Sequence, residues 1–471
     1  MDADSMEPPG TVQIEEWNSI VLQPPPTDDP DDPLNWSKLR KTVNFTLVLL
    51  FTLFTFTLVD IGTVAWGPMN EQLGISFENM NNSFAANLAG LGVCCIFAIP
   101  LAHKYGRRPV YLVSLLLQIA GSVWQAKITT SWELIVSNVV TGVAGAVSEV
   151  MVQMTVNDLF FVHQRGKANG IYLVMVSMGA YVALVPAGFI TISQGWRWIW
   201  WWCVILIGVT FIIFVFFYEE SKFVMTLVGE GIPHDAGKDM NKSKASLPDD
   251  VPPVAVPKKS YKKRLALVTK TDTPVLQHIV QPFQLLFTFP AVTYTAIMYG
   301  SLLCWFSVLA TTQSTYLLTP PYNFSASGIG LFNLSTFIGT VLGSLAGGPI
   351  SDWWIGVAWI VVAVGAAVFG FSFTLIADVS LSYLMDCYQE VVGDAFVAVT
   401  FIRNGLSMIF VFCLSPWIAA TGLENMFIAV ACLSFAINCI TIPMMIWGKK
   451  ARRATAGRYR TMALARRHQP R

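Results

Sequence analysis

A chain of 471 residues that is 54% hydrophobic and 13% charged departs sharply from a water-soluble domain, in which roughly a quarter of residues are charged. The composition excludes a soluble enzyme and gives no support for a nucleic-acid partner; it describes an all-α polytopic membrane protein whose first partner is the lipid bilayer. The net charge of +1 says little, because the charges are segregated along the chain.

Residues 1–41 are rich in Pro and Asp (Pro24-Pro25-Pro26, Asp28-Asp29-Pro30-Asp31-Asp32) and lack apolar periodicity. They read as a disordered cytoplasmic tail. Asp32-Pro33-Leu34-Asn35-Trp36-Ser37 then meets Lys38, Arg40 and Lys41, an aromatic and basic anchor at the interface. No cleavable signal is read here, so the first apolar run serves as its own anchor.

A bilayer crossing needs about 20 apolar residues. Six runs satisfy this in the first half: 42–66, 82–102, 110–126, 133–156, 168–192 and 198–218. They form an N-terminal six-helix half, 42–218. A Lys- and Pro-rich cytoplasmic linker, 219–281, follows. The second half, 282–447, offers five runs: 286–316, 325–350, 355–383, 391–417 and 424–447. A basic tail, 448–471, closes the chain.

The short turn His103-Lys104-Tyr105-Gly106-Arg107-Arg108-Pro109 sets the orientation. Its fixed charges must face water, and excess Lys and Arg marks the cytoplasmic side. The N-terminal tail, this turn, the Arg165/Lys167 turn, the linker and the C-terminal tail together hold 27 of the 30 Lys and Arg residues. All five regions would be cytoplasmic with six spans in each half. Eleven spans instead place the last tail outside, against this bias.

The eight cysteines lie in or beside apolar segments without a CxxC pair, and read as small buried hydrophobes rather than metal ligands. No metal or cofactor is expected. No Walker loop, dinucleotide turn or HExxH is present, so nucleotide-driven pumping and enzymatic chemistry have no support.

The turn at 103–109 resembles the signature between the second and third helices of the major facilitator superfamily, and is most similar to that of fungal drug–proton antiporter-like members. Further matches are Asp32-Pro-Leu-Asn-Trp-Ser, Asp158-Leu-Phe-Phe-Val-His-Gln-Arg165-Gly166, Gly195-Trp-Arg-Trp198, Gly348-Pro-Ile-Ser-Asp352-Trp, Tyr383-Leu-Met-Asp386-Cys-Tyr388 and Arg403-Asn404. The resemblance implies a major facilitator fold: two six-helix halves rocking about a central cavity. The sequence departs from the family at His103, where an Asp is expected, at Ile99 for Gly, and at Asn138 for Arg. The antiporter motif survives only as Val185-Pro186-Ala187-Gly188. After Asp352, Trp353-Trp354 runs straight into a segment similar to the tenth helix. About fifty residues around the expected ninth helix are missing, leaving about eleven spans.

Charges inside spans are expensive and therefore candidates for function. Asp60 and Glu149 lie in the first and fourth spans, which line the cavity in this family, and could exchange protons or pair with a cationic solute. Asp60 has an alternative as an interface residue near Trp66. Asp378 lies in the segment resembling helix ten, with Asp386, Glu390 and Asp394 at its aqueous end. Arg403 is expected to answer a carboxylate or a helix end. Tyr299, Trp305, Gln313 and Asn157 suit a cavity for an amphiphilic organic cation.

By the resemblance, Gly106, Arg107, Arg108, Asp158, Arg165, Gly166, Gly348 and Asp352 form the cytoplasmic hinge and gate, with an ion pair expected between Asp158 and Arg165. The Trp196–Trp202 run reads as an aromatic belt, and Gly142, Gly145 and Ala146 as a close helix contact. Asn81 and Asn323 begin glycosylation sequons. The resulting expectation is a monomeric secondary transporter, coupling protons to a small organic solute in the plasma or vacuolar membrane. The alternative is a truncated, transporter-derived membrane protein without transport activity.

Overall fold

The computed structural model describes residues 15–16, 19–20, 29, 31–222, 264–269, 275–318, 323–345 and 370–467, except 374–375, 378–379, 382, 386 and 389–390. Gly348, Asp352, Asp378, Asp386, Glu390 and the shortened junction at 353–359 lie outside the described residues.

Several helices begin where the sequence supplies a side-chain cap. Ser37 accepts from the Arg40 amide to open α1 (Lys38–Asp60), which continues through a 3-10 turn, Ile61–Ala65, into α2 (Trp66–Leu73). Ser76 caps α3 (Phe77–Tyr105). After α4 (Arg107–Ala126), Thr130 and Glu133 form a reciprocal capping box at the start of α5 (Ser131–Leu159). Then come α6 (Val162–Ser177), a π turn (Met178–Val182), α7 (Leu184–Ser193) and α8 (Arg197–Phe217).

The later elements are α9 (Val275–Thr288), α10 (Pro290–Tyr316), α11 (Ala326–Leu345), α12 (Val392–Thr421), α13 (Leu423–Cys439) and α14 (Thr441–Arg467). Among the described residues, nine helical segments are long and apolar enough to cross a membrane.

Within the first half, α3 packs along α5, and α4 lies between α5 and α8. A Cβ on Gly142 would overlap the Asn87 carbonyl, so only glycine permits this α3–α5 approach. Between the halves, α3 runs along α12, and α7 runs along α11. At the second contact a Cβ on Gly188 would lie 2.7 Å from the Ala326 oxygen, and one on Gly330 2.5 Å from that of Leu184. The surviving glycine of Val185-Pro186-Ala187-Gly188 is thus a point where the halves touch.

The basic C-terminal helix lies at the same end of the bundle as the 103–109 turn. Tyr459 of α14 packs on Tyr388 with ring centroids 5.6 Å apart, and Tyr388 packs on Phe289 at 4.9 Å. Phe289 follows α9, whose His278 stacks on His103 at 4.6 Å. The tail therefore shares its end of the bundle with the basic turn, the arrangement that the positive-charge bias calls for.

Three expectations need correction. The supposedly disordered tail is folded from Asp31 onward: Asp32 caps the 3-10 turn Pro33–Asn35, Trp36 is buried, and Arg40 stacks on it at 3.7 Å. The linker is structured at both ends, because residues 219–222 and 264–269 bond to the 103–109 turn and α9 occupies its last part. The tryptophan run is only half a lipid-facing belt. Trp198 and Trp202 are exposed, whereas Trp196 and Trp200 turn inward at helical spacing, with the Trp196 indole donating to Gln72 at 2.7 Å.

The cysteines divide similarly. Cys95, Cys203, Cys304 and Cys387 are buried, while Cys413 and Cys432 are exposed on α12 and α13. Leu423–Met444 is the least buried span, 6% across its apolar window, which fits a peripheral helix facing lipid.

Candidate functional site

The strongest polar constellation lies where α5, α10 and α12 meet. Glu149 sits mid-way along α5 with one carboxylate oxygen against the Arg403 guanidinium. Its other oxygen accepts from Asn404 Nδ2 at 2.7 Å. Arg403 also lies over the Tyr299 ring, 4.6 Å from its centroid. Glu149, Arg403 and Tyr299 are 5%, 4% and 6% exposed, and Asn404 is fully buried. The expectation that Arg403 answers a carboxylate is met by this pair, and the acid belongs to the opposite half of the protein.

Taking both charges from water costs several kcal/mol per ion, by order of magnitude, and only close pairing with further hydrogen bonds offsets it. Asn404 and Tyr299 supply those additional contacts. Glycine makes the meeting possible, since a Cβ at Gly92 of α3 would stand 3.2 Å from the Asn404 side chain.

Asp60 occupies a different setting. It ends α1, is 3% exposed, and its Oδ1 has no hydrogen-bond partner among the described residues. A cavity of about 20 Å³, room for about one water, lies beside its chain neighbours Val59, Gly62 and Thr63 and reaches Asn138 and Trp200. That cavity is lined by none of the residues that bond to Glu149.

α10 carries the cavity candidates Tyr299, Trp305 and Gln313, while Asn157 lies near the end of α5. Trp305 and Gln313 are both buried, and Trp305 Nε1, Thr312 Oγ1 and Gln313 Nε2 find no hydrogen-bond partner among the described residues. Leaving a buried donor unmade costs about 1–3 kcal/mol. These groups can take a polar ligand or water without losing an existing bond. Trp305 packs edge-on against Phe410 at 5.3 Å, giving the indole an aromatic neighbour from α12.

The basic turn forms a second constellation. Gly106 has φ 104° and ψ 167°, a conformation reserved for glycine, and a Cβ there would overlap Glu220 Oε2. That carboxylate caps α4, accepting from the Arg107 and Arg108 amides at 2.9 and 3.0 Å. Arg107 forms an ion pair with Asp158 at 2.9 Å, joining α4 to the end of α5. Arg108 donates to the carbonyls of Val215, at 2.6 Å, and Leu265. Arg40 is paired with Glu219 at 2.5 Å. Lys222 reaches the His103 and Thr269 carbonyls at 2.6 and 2.9 Å.

This arrangement alters one expectation. Asp158 is engaged by Arg107, while Arg165 donates to the Phe160 and Asn157 carbonyls at the end of α5. The pair expected across the α5–α6 turn is replaced by one between α4 and α5. A Cβ on Gly166 would meet nothing within 4 Å among the described residues. The acids Glu219 and Glu220 were missed, although Tyr218-Glu219-Glu220 directly after an apolar span was a legible signal.

The two sequons separate. Asn81 lies inside α3, is 6% exposed and gives its amide to Ser415 at 3.2 Å, so a glycan there would have to break a helix contact. Asn323 is exposed before α11 with φ 47°.

A polytopic helical protein whose two parts meet on a buried ion pair belongs among membrane transporters by architecture. The model of the Major Facilitator Superfamily matches residues 45–402, and the chain belongs to that family. An uncharacterised MFS-type transporter of Schizosaccharomyces pombe is 32% identical, over 94% of this chain and 90% of the relative. Protein HOL1 of Saccharomyces cerevisiae is 28% identical over 92% and 90%.

Among solved structures, the human organic anion transporter MFSD10 (TETRAN) matches with a TM-score of 0.53 at 15% identity, covering 85% of this chain and 99% of that one. The proton:xylose symporter XylE matches with 0.53 at 12%, covering 88% and 96%. These two likenesses concern the fold. The Schizosaccharomyces pombe alignment extends over 521 positions against a chain of 471, so at least fifty of them have no residue here.

Proposed function

We propose that this chain is a secondary active transporter that couples a proton gradient to the movement of a small amphiphilic organic cation by alternating access. The observation that carries the reading is the Glu149–Arg403 pair, because its partners come from opposite halves. Protonating Glu149 would remove its charge and weaken the hold on Arg403, so proton uptake and separation of α5 from α12 become one event. Family membership supports transport, and buried ionisable groups within spans are the usual instruments of proton coupling.

Asp60 is a second place for a proton, since a buried carboxylate oxygen without a partner gains from taking one up. The unsatisfied donors of Trp305, Thr312 and Gln313, with the aromatic faces of Tyr299 and Phe410, would hold a solute having both a polar end and an apolar body. An aromatic face attracts a cation through its quadrupole. Arg107, Arg108, Asp158 and Gly106 act as the inner hinge, and the protein works as a monomer in the plasma or vacuolar membrane.

The test is the retention of ethidium and rhodamine 6G by cells with and without the protein. The reading expects a protein-dependent change in retention that a protonophore abolishes. Retention that is identical in both cells across a panel of such cations favours a transporter-derived protein without transport activity.

A further inference from the structure

At the end of the bundle that holds the basic turn, three elements bring metal-ligating side chains together. His103 comes from the last turn of α3, His278 from α9 and Asp394 from the first turn of α12. One ligand atom from each lies within 4.8 Å of the others. The imidazoles of His103 and His278 stack at 4.6 Å with planes 10° apart, and His278 Nδ1 is 3.6 Å from Asp394 Oδ1. Five histidines occur in the chain, and two of them converge on this spot from segments 175 positions apart.

The second observation concerns His278 itself. It is 3% exposed, and neither ring nitrogen has a hydrogen-bond partner among the described residues. A buried imidazole normally donates from one nitrogen and accepts at the other. Here one nitrogen faces a buried carboxylate from beyond hydrogen-bond distance, while the ring lies on a second imidazole. Such a side chain loses nothing by turning a lone pair toward a cation.

We propose that His103, His278 and Asp394 form a binding site for a late first-row divalent cation, with zinc the best fit. Two neutral imidazoles and one carboxylate are borderline donors that select Zn²⁺ or its neighbours over Mg²⁺ and Ca²⁺, which prefer all-oxygen shells. Zinc sits about 2.0–2.1 Å from nitrogen and about 2.0–2.2 Å from oxygen, so a tetrahedral site needs ligand atoms roughly 3.4 Å apart. Modest ring rotations from the stacked arrangement reach that spacing. Three protein ligands leave a fourth position for water.

The site joins the first half, the linker helix and the second half. A bound cation therefore fastens α3 to α12 through α9 and holds this end of the bundle closed. Glu149 and Arg403 take no part, so the cation site is independent of the proposed proton coupling.

The experiment is calorimetric titration of the purified full-length protein in detergent with Zn²⁺, followed by Co²⁺ titration read by visible absorption. The expected result is one Zn²⁺ per chain, a tetrahedral Co²⁺ spectrum, and affinity at least tenfold weaker in both His278→Ala and His103→Gln. Zinc should raise the unfolding temperature of the unaltered protein more than that of either variant. If one variant does not fold, the other carries the comparison. Absence of stoichiometric binding by the unaltered protein, or undiminished binding by a folded variant, overturns the proposal. A response to pH without zinc binding likewise overturns it.

Discussion

Glu149 and Arg403 neutralise each other across the two halves of the protein, with Asn404 bonded to the second carboxylate oxygen at 2.7 Å. Neither charge has water as an alternative, which makes the pair sensitive to loss of one member. Arg403→Gln alone should destabilise by about 3–5 kcal/mol, because it leaves Glu149 buried with its cation removed. Glu149→Gln with Arg403→Gln should recover a large part of that loss. Unfolding temperatures of the single and double variants in detergent check this; strictly additive losses would mean that the pair does not act as a unit.

A second expectation concerns Gly188, which touches α11 through backbone atoms. Gly188→Leu should push α7 from α11 and lower both folded yield and transport, whereas Gly208→Leu should leave both near normal, since among the described residues nothing stands within 4 Å of a Cβ there. Equal behaviour in size-exclusion chromatography and cation retention would refute the contact.

The basic turn predicts a local effect. Gly106→Ala must either move Glu220 off the α4 amides or leave its glycine conformation, at about 1–3 kcal/mol. The expected result is a lower unfolding temperature and faster alkylation of a cysteine introduced at Ser221. Unchanged alkylation would show that the cap is not needed there.

Lys222 should leave a mark on pH dependence. Burial, with the Arg107 cation adding to it against Glu220, lowers its ammonium from 10.5 to about 8. Between about pH 8 and 10.5 the unfolded chain therefore binds more protons at this residue than the folded one. The contribution of Lys222 to stability rises with pH through that window and is smallest below pH 8. The unfolding temperature of the unaltered protein, measured relative to Lys222→Met, should rise from pH 7.5 to 9.5. A difference that falls over this range would reverse the sign.

The packing of α14 predicts the side of the C-terminus. A cysteine placed at the tail should be shielded from a membrane-impermeant reagent in intact cells, as should one at Lys104. Labelling of the tail alone would restore the odd-span arrangement.

Much of the first half was legible because its signals are local. The apolar runs marked the spans, and Gly142 stands where α3 approaches α5, whereas the equally local caps Ser37, Ser76 and Thr130 were not used to place the helix starts. Arg403 could be assigned a carboxylate partner in kind, because a lone guanidinium in a span requires one. The partner's identity could not be read, since Glu149 and Asn404 are 255 positions apart and meet only through tertiary packing. The acids Glu219 and Glu220, which bond to Arg40 and the α4 amides, were hidden by the polarity of the linker around them. His278 gave no signal, because a single histidine in an apolar helix acquires meaning only when α3 and α12 bring His103 and Asp394 beside it.

The most direct test uses proteoliposomes under an imposed pH gradient with rhodamine 6G or ethidium as the transported cation. The double variant Glu149→Gln/Arg403→Gln is the right comparison, because it leaves no lone charge buried between the halves. The unaltered protein should move the cation at a rate that follows the gradient and collapses with a protonophore, and the double variant should be insensitive to both. An equal response to the gradient in the two proteins would contradict the assignment of proton coupling to this pair.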